Sequence, residues 1–519
     1  MYIGKILDPI HGTIKTTEIE KWIINQKLFN RLKKIKQNTL LNYVFPGANH
    51  TRFEHSIGVM HLAGKIFKET NDNVTAARLK SEKYTLKHNF LSVIELVDQN
   101  SLNLDVVKQE VRLAALLHDV GHGPTSHKFD DFTINGAQLI EILKTENSFD
   151  EYLDRFDFFL SKTNSNGVSG LDRKIEHELV SVVFIIRLIK LLKSETKFNS
   201  ESKKIIQLIS IDNIIKMIEP KFDPNYEIKF GKYIVTDYFN SIISSFPIDA
   251  DRMDYLYRDS FFSGVKYGFY DLTRILNSLV PVNYDNRITL GIKSSGLDSV
   301  IRFIQSRNHL YNQVYFHKTN TSTNTMLDFV FRHLTEQSVM EEITDFEKYE
   351  DFYWKNSDEY FFNVTLKKIL EKDGCKVCEE GCIENSVLDE LMERRLWKRV
   401  YEKKLIIDNP RKFKYLKFNN KKLEKIKSEL EKDEIFINVH YCGNEGLKGW
   451  EKSKIVILDK ENDYTPTKNW KKFNPELQFL NKTNVFITRI YLRKIFKDAK
   501  AYEAEKAIVI SKFEEAGLI

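Results

Sequence analysis

The sequence predicts a mainly α-helical protein with a smaller α+β region toward its C-terminal end. Apolar residues recur at helical spacing up to about residue 340, and only 10 of 519 residues are proline, which favours long helices. Beyond that point charge runs become dense, and strand-like pieces lie at 436–439, 455–458 and 485–487. We therefore expect a soft boundary near residue 340, dividing the chain into 1–340 and 341–519.

Each predicted helix places its apolar residues three to four positions apart. In order, these helices are 19–36 with a break near Asn25, 53–68, 106–119, 175–193, 203–218, 249–258 and 296–316. Gly121, Gly123 and Pro124 are expected to stop the third of them. Residues 145–175 are polar and irregular and predict an exposed insertion, whereas 287–293 alternate like a short strand.

Composition excludes several classes of protein. Hydrophobic residues make up 42% of the chain, with 36 Phe and 23 Tyr, which is typical of a globular protein with a large core. The net charge of +6 is small for this length and does not by itself require a nucleic-acid partner. No apolar signal core opens the chain, and no run of 18 apolar residues could span a membrane, so a cytoplasmic location is expected by elimination.

Four short groups of residues carry the types of side chain that phosphoryl chemistry uses. These groups are Arg52-Phe-Glu-His55-Ser56, His118-Asp119 with His122 and His127, His177-Glu178, and Asp251-Arg-Met-Asp-Tyr-Leu-Tyr-Arg-Asp259. A His-Asp pair alone is more often a surface pair or a satisfied core histidine. Here an apolar helix precedes it, and three of the 13 histidines fall within ten residues.

Adjacent His118 and Asp119 point about 100° apart on a helix, so a metal between them can bind one nitrogen and one oxygen. His55 and Asp251 are the natural candidates to complete the shell. This mixed set suits divalent Mn, Fe, Zn, Ni or Mg better than a metal that prefers thiolates. Such a metal activates water and polarises a phosphoryl oxygen.

Several motifs, in this order, resemble those of a known family. They are Asp8-Pro-Ile-His-Gly12, Tyr43-Val-Phe-Pro-Gly-Ala-Asn-His-Thr-Arg-Phe-Glu-His-Ser56, His118-Asp-Val-Gly-His-Gly-Pro-Thr-Ser-His127, Asp251-Arg-Met-Asp-Tyr255, Arg307-Asn308 and Tyr315-Phe-His-Lys318. Together they resemble the HD-domain deoxynucleoside triphosphate (dNTP) triphosphohydrolases, in the branch of the vertebrate sterile-alpha-motif/HD-domain enzyme. The likeness covers roughly 3–335 and is to the bacterial type, which has no sterile alpha motif. It implies a multi-helix HD-domain core.

The resemblance implies roles for the clustered histidines and carboxylates. The implied metal ligands are His55, His118, Asp119 and Asp251. The implied catalytic residues are His122, His127, Asp130, His177 and Glu178. In that picture His177 positions or deprotonates the attacking water, held by Asp130 and Glu178, while His127 serves the leaving group. Histidine suits this work because its pKa lies near neutral pH.

The resemblance also implies a substrate site for a dNTP. The implied substrate-binding residues are Gln37, Arg52, Arg252, Tyr255, Asp259, Arg307 and Tyr315. The arginines and Tyr255 would grip phosphates, since the guanidinium fork can bond two phosphate oxygens. Gln37 and Asp259 would hold the sugar 3′-hydroxyl, and Tyr315 would exclude a 2′-hydroxyl. The family reaction is attack of activated water on the α-phosphorus, releasing intact triphosphate, for dNTP-pool control or defence against phage.

Regulation and assembly are expected from the same resemblance. The vertebrate enzyme reads a guanine effector where this chain has Asn25, Asn30 and Lys33, so a different nucleotide effector, or none, is expected. Lys318 and Arg274 are candidates to contact an effector phosphate. A homo-oligomer, tetramer or dimer, is expected, with 341–519 serving oligomerisation or regulation.

Two features of the C-terminal third leave alternatives open. Cys375, Cys378 and Cys382, with Cys442 or His440, could form a structural zinc site, although free reduced cysteines are the favoured interpretation. Residues 394–432 mix basic and aromatic side chains, which single-stranded nucleic acid binding can use. A solvated helical face is the favoured interpretation there.

Three hypotheses follow for the whole protein. The first is a dNTP triphosphohydrolase. The second is an HD phosphohydrolase or nuclease that acts on another nucleotide, such as a second messenger, or on nucleic acid. The third is a nucleic-acid-binding or scaffold protein with a degenerate HD domain, against which the intact set of metal ligands argues.

Overall fold

The computed structural model describes residues 2–80, 89–164, 167–331, 343–372, 383–447, 453–460, 464–468, 475–493 and 498–519. Its helices are α1 (Glu18–Ile24), α2 (Lys27–Asn30), α3 (Arg52–Lys80), α4 (Val93–Gln99), α5 (Leu104–Leu117), α6 (Gly136–Leu143), α7 (Leu153–Leu160), α8 (His177–Ser194), α9 (Ser200–Leu208), α10 (Ile211–Ile218), α11 (Thr236–Ile243), α12 (Ala250–Phe262), α13 (Leu272–Ser278), α14 (Leu297–Leu310), α15 (Lys318–Phe331), α16 (Phe346–Lys355), α17 (Asp358–Tyr360), α18 (Leu366–Lys372), α19 (Ile383–Met392), α20 (Asn420–Glu431), α21 (Pro475–Lys482) and α22 (Ala499–Glu515). The strands are β1 (Tyr2–Asp8), β2 (Gly12–Thr17), β3 (Lys229–Phe230), β4 (Tyr233–Ile234), β5 (Leu279–Tyr284), β6 (Arg287–Lys293), β7 (Lys398–Ile407), β8 (Ile437–Asn444), β9 (Val456–Asp459), β10 (Thr465–Thr467) and β11 (Asn484–Leu492). The predicted mainly α fold is confirmed.

Three helices form the centre of the molecule. The long helix α3 packs against both α5 and α12, and buried residues such as Val59, Leu116 and Met253 fill the space around them. Helix α5 is amphipathic, and buried residues of α3 such as Leu62 and Ile66 belong to the same apolar core. The ends of the three helices that lie close together carry His55, His118 and Asp251.

Local sequence explains where the site helices begin and end. The side chain of Asp249 accepts the Arg252 amide hydrogen at 2.7 Å and so caps the start of α12. Helix α5 ends at Leu117, and the turn that follows brings Gly121 against the first turn of α8. A Cβ atom at Gly121 would lie 2.3 Å from the carbonyl oxygen of His177, so only glycine permits this approach.

Most predicted elements are present with shifted ends. The break near Asn25 separates α1 from α2, and the segment 203–218 divides into α9 and α10. The last predicted helix ends as α14 and continues into a π-helical turn, Tyr311–Tyr315. Such turns are common at functional sites because they re-aim side chains.

The predicted exposed insertion is wrong over much of its length. Residues 147–160 form helical turns and α7, and Phe149 and Phe156 are fully buried. Phe149 packs on Phe346 with ring centres 4.7 Å apart, and Phe156 packs on Phe222 at 4.8 Å. These partners lie far away along the chain, so the local polar composition of this segment hid its buried face.

The C-terminal region packs directly on the helical core. Strands β7, β11 and β8 form an antiparallel sheet, in that order, and helices α20 and α22 cover one of its faces. The other face contacts α15, where Asn438 donates to the Thr325 carbonyl at 3.1 Å and Arg489 donates to the Phe316 carbonyl at 2.6 Å. Strand β9 also pairs in parallel with β6. The predicted boundary near residue 340 lies outside the described residues.

None of the described helices combines the length and the apolar character that a membrane span requires.

Glu110 gives a stability prediction away from the site. Its carboxylate accepts the Ser210 amide hydrogen at 2.7 Å and the Asn213 side-chain amide at 2.9 Å, and burial raises its pKa to about 7. A carboxyl with a raised pKa stabilises the fold fully below its usual pKa, and this contribution is lost as the pH rises through 7. Glu110→Gln should therefore gain stability relative to wild type between about pH 5 and pH 8, by on the order of 1–3 kcal/mol. Denaturant unfolding at both pH values measures this, and an equal difference at the two would contradict it.

Candidate active site

A cavity of about 560 Å³ lies where the ends of α3, α5, α8 and α12 meet. Most of the sequence-predicted site residues line it, including Asp119, His122, His177 and Asp251. Its volume falls within the range usual for small-molecule sites. The cavity is therefore the candidate active site.

The four predicted metal ligands converge on one wall. The Nε2 atoms of His55 and His118 lie 3.2 and 3.8 Å from one carboxylate oxygen of Asp251. Asp119 completes the group, with oxygens 3.7 Å from the His55 Nε2 and 3.4 Å from the His118 Nε2. Ligand atoms of His55, His118 and Asp251 all lie within 4.8 Å of one another, so one small cation could contact these three, with Asp119 beside them.

The imidazole orientations fit a metal site. Both Nε2 atoms are buried and have no hydrogen-bond partner among the described residues, which is costly unless a ligand satisfies them. The opposite nitrogens are held in place, the Nδ1 of His55 by Asp254 at 2.8 Å and that of His118 by the Ala115 carbonyl at 2.8 Å. This pattern is usual for metal-binding histidines, because the second hydrogen bond fixes the tautomer. The residues present thus fit a divalent cation.

Electrostatics keep the ligand carboxylate of Asp251 charged. Burial opposes its ionisation, but the nearby imidazoles of His118 and His55 outweigh burial and lower its pKa below the usual value. A carboxylate that stays ionised remains able to bind a cation.

A second cluster faces the first across Asp119. The rings of His122 and His177 are stacked, with centres 3.6 Å apart and planes 19° from parallel, and His127 lies edge-on to both. Nitrogen atoms of the three histidines lie within 4.8 Å of one another. Stacked rings, however, direct their nitrogen lone pairs along parallel planes, so one metal cannot lie in both. The cluster is better arranged to move protons than to bind a cation.

The pKa values of the two stacked histidines are shifted in opposite directions. Burial and the positive charges of Arg52 and His177 lower the pKa of His122 well below its usual value. Burial also disfavours the charged form of His177, but its hydrogen bond with Asp130, at 2.9 Å, and the charge of Glu178 raise its pKa overall. Paired groups whose environments separate their pKa values are typical of acid–base sites.

Two of the four residues predicted to bind phosphate are engaged with neighbouring carboxylates. Arg52 is buried and donates to Asp119 and to Ser126. Arg252 lines the cavity and pairs with Asp249. Tyr255 lines the cavity beside them. These side chains place positive charge and a hydroxyl group next to the predicted metal ligands.

Arg307 does not line the cavity in this structure. It is buried, its guanidinium stacks 4.2 Å from the Tyr311 ring centre, and it donates to the Asn444 side chain at 3.1 Å. Among the described residues its Nε atom has no hydrogen-bond partner, whereas Tyr311 itself lines the cavity. Arg307 therefore lies directly behind a residue of the cavity wall.

The residues predicted to bind the sugar lie together. Tyr315 donates its hydroxyl hydrogen to Asp259, which also contacts His50 at 2.6 Å and accepts from Asn38 at 2.9 Å. The side-chain oxygen of Gln37 is buried without a partner. Asp259 thus fixes the Tyr315 ring, and Gln37 offers a free acceptor to a hydroxyl group.

One wall of the cavity could not be recognised from sequence patterns. Residues 440–443 of β8 line it, and His440 lies 3.7 Å from Asp328, which also pairs with Lys128 beside the histidine cluster. A strand more than 300 residues beyond the His-Asp motif thereby closes the site. Such a contact depends on tertiary packing and cannot be read from local periodicity.

The structure bears differently on the two C-terminal features for which the sequence left alternatives open, the cysteine group and the segment 394–432. Cys375, Cys378 and Cys382 lie outside the described residues, and Cys442 is a buried thiol whose pKa burial raises to about 12. In 394–432, Trp397, Phe413 and Phe418 pack on Phe329, Phe486 and Phe513 respectively, whereas Tyr415 is 75% exposed. Most of these aromatic rings are therefore committed to internal packing.

Known proteins resemble this chain in sequence. A family model described as HD domain matches residues 52–186. The deoxynucleoside triphosphate triphosphohydrolase SAMHD1 of Bos taurus is 29% identical over 329 residues, which cover 63% of this chain and 46% of that enzyme. An uncharacterized protein of Methanocaldococcus jannaschii is 27% identical over 461 residues (88% of this chain, 72% of the relative). The uncharacterized protein YwfO of Bacillus subtilis is 25% identical over 405 residues (76% and 70%). The chain therefore contains a segment that matches the HD domain, and it is similar to a group of proteins that includes a dNTP triphosphohydrolase.

Proposed function

We propose that this protein is a metal-dependent dNTP triphosphohydrolase that converts a dNTP and water into a deoxynucleoside and triphosphate. The observation that carries the proposal is the pairing of two clusters on either side of Asp119. One has two unpartnered imidazole nitrogens facing Asp251, and the other stacks His122 on a His177 that Asp130 holds. The dNTP triphosphohydrolase activity of the bovine relative supports the choice of substrate.

His55, His118, Asp119 and Asp251 would hold the cation, which when bound supplies a more acidic water and charge neutralisation at phosphate. Proton transfer and phosphate binding depend on the chain's own residues. With its Nδ1 on Asp130, His177 presents Nε2 to accept a proton from the attacking water. His127, whose side chain is 73% exposed, stands at the cavity mouth to protonate the departing 5′-oxygen as its bond to the α-phosphorus breaks. Arg52 and Arg252 bind phosphate oxygens.

The sugar preference follows from the ordered pair of Tyr315 and Asp259. Because the Tyr315 hydroxyl is tied to Asp259, its ring cannot swing aside to admit a 2′-hydroxyl. The free Gln37 oxygen accepts a hydrogen bond from the 3′-hydroxyl. Deoxyribose is therefore the favoured sugar.

The test is to incubate the purified protein with each dNTP and each ribonucleotide, with Mn²⁺ or Mg²⁺, and to resolve the products. Deoxynucleoside plus intact triphosphate, from dNTPs only, supports the proposal. Monophosphate plus pyrophosphate, or turnover of ribonucleotides only, overturns it and favours an HD phosphohydrolase for another nucleotide. Turnover of nucleic acid alone would favour a nuclease.

A second cavity, of about 470 Å³, supports regulation by a nucleotide effector. It is lined by basic side chains, among them Lys318, Arg394 and Lys398, and by the half-buried ring of Tyr502. Arginine and lysine suit phosphates, and aromatic rings suit a base. Arg274, the other candidate, instead donates to the Ser295 carbonyl at 2.7 Å. If the protein hydrolyses dNTPs in mixtures but not singly, and if Lys398→Glu abolishes this activity, an effector at the second cavity is supported.

Assembly into a dimer or tetramer stays a prediction.

Asn444 gives a prediction on substrate affinity. Its side chain is the acceptor that holds the buried Arg307 behind Tyr311. Asn444→Ala should raise the KM for a dNTP about tenfold with a smaller change in kcat, since a hydrogen bond to a charged group contributes roughly 1.5–3 kcal/mol. Steady-state kinetics measure this, and Asn438→Ala, on the same strand, is the matched control. A change in kcat alone would count against this role.

A further inference from the structure

The side chain of Asp254 has a hydrogen-bonded donor at every position that its two oxygens offer. Arg258 donates to both oxygens, at 2.7 and 2.9 Å. One oxygen also contacts the Nε2 of His11 at 2.6 Å, and the other contacts the Nδ1 of His55 at 2.8 Å. Asp254 and Arg258 are completely buried, so no water can replace a lost contact.

The N-terminal hairpin supplies two members of this network. Between β1 and β2, Asp8 accepts the His11 amide hydrogen at 2.8 Å and thereby shapes the turn that carries His11. The other oxygen of Asp8 accepts from Arg258 at 2.8 Å. The hairpin is therefore connected to His55 through Asp254, although it does not line the cavity.

Glycine at position 58 leaves space on α3 for the side chains of Asp254 and Arg258. It lies one turn beyond His55 on α3, and a Cβ atom there would stand 2.0 Å from an Asp254 oxygen and 2.5 Å from an Arg258 nitrogen. Glycine in a helix interior is otherwise unfavourable, because alanine is the better helix former. Glycine therefore costs helix stability at a position where a side chain would displace Asp254.

We propose that His11, Asp254 and Arg258 form a positioning clamp that holds the His55 Nε2 toward the candidate metal site and so sets the affinity of that site for a divalent cation. The inference rests on the metal site of the proposed function. In the clamp His55 donates from Nδ1, which leaves the Nε2 lone pair for the cation. A hydrogen bond to a ligand histidine of this kind typically changes metal affinity about 10–100-fold.

The test measures Mn²⁺ binding to the full chain by metal analysis after dialysis and by competition with a chelator, so that no turnover is required. His11→Ala should bind Mn²⁺ about 10–100-fold more weakly. His11→Gln, which can still donate to Asp254, should recover much of the affinity. His61→Ala is the matched control, because His61 packs on the His11 ring at 5.4 Å without bonding to the clamp, and it should change affinity less than about twofold.

Gly58→Ala provides an independent test, because its added Cβ atom displaces Asp254 or Arg258. A merely structural role predicts lower stability with unchanged metal affinity in the folded protein, whereas the clamp predicts weaker Mn²⁺ binding as well. If His11→Ala fails to fold, His11→Gln and Gly58→Ala decide the question. Wild-type protein that binds Mn²⁺ no better than His11→Ala and Gly58→Ala overturns the clamp. Wild-type protein that binds no divalent cation overturns the metal site itself and so the proposed function.

Discussion

Replacing Asp251 with alanine is expected to abolish cation binding and to lower the hydrolytic rate by roughly a thousandfold or more, which corresponds to at least about 4 kcal/mol in the activation barrier. Asp251 is the carboxylate that both unpartnered imidazole nitrogens face, at 3.2 and 3.8 Å. Without it the His55 and His118 nitrogens keep only Asp119 as a neighbouring carboxylate of the proposed ligand set. A cation would then lack an oxygen ligand and much of the charge compensation of the site.

The fold should survive this change, because the Asp251 side chain is 24% exposed and lies in the first turn of α12, which Asp249 caps. Wild-type protein should gain thermal stability when Mn²⁺ is added, as expected for a ligand that binds only the folded state, whereas Asp251→Ala should not. Asp105→Ala, at an exposed carboxylate in the first turn of α5, is the control and should keep both properties. Full activity in folded Asp251→Ala would disprove the metal-dependent mechanism.

Much of the ligand set could be predicted from the sequence, because its members lie at helix ends that hydrophobic periodicity locates. His118 follows the apolar run of α5, and Asp251 follows the cap of α12. Adjacent residues on a helix point in different directions, so the His-Asp pair predicts convergence with ligands from other helices. The structure brings His55 and Asp251 to that place.

The supporting residues could not be predicted in the same way. Asp254 and Arg258 look like an ordinary i, i+4 ion pair on α12, and nothing in their spacing shows that His11 and His55 bond to the same carboxylate. The β8 wall depends on how a distant sheet docks on α15. Both are products of tertiary packing, which sequence periodicity does not encode.

The second large effect is expected from replacing His177, which stacks on His122. His177→Ala is expected to lower kcat by roughly 10²- to 10⁴-fold, the usual contribution of a positioned general acid or base, while Mn²⁺ binding stays intact. His177 does not face the Asp251 group but stacks on His122, and its Nδ1 is held by Asp130 at 2.9 Å. Loss of metal together with activity would show that His177 has a structural role instead.

The Asp130→Asn variant tests whether His177 transfers a proton or only packs against its neighbours. Asparagine keeps the shape of Asp130 but removes the charge that, together with that of Glu178, raises the pKa of His177 against the effect of burial. The pKa of His177 should therefore fall in this variant, and the limb of the pH–rate profile that reports it should move to lower pH. A limb that stays in place would mean that another group titrates in the rate-limiting step. A shift to lower pH, with metal affinity unchanged, would identify His177 as the proton-transferring residue and Asp130 as the residue that positions it.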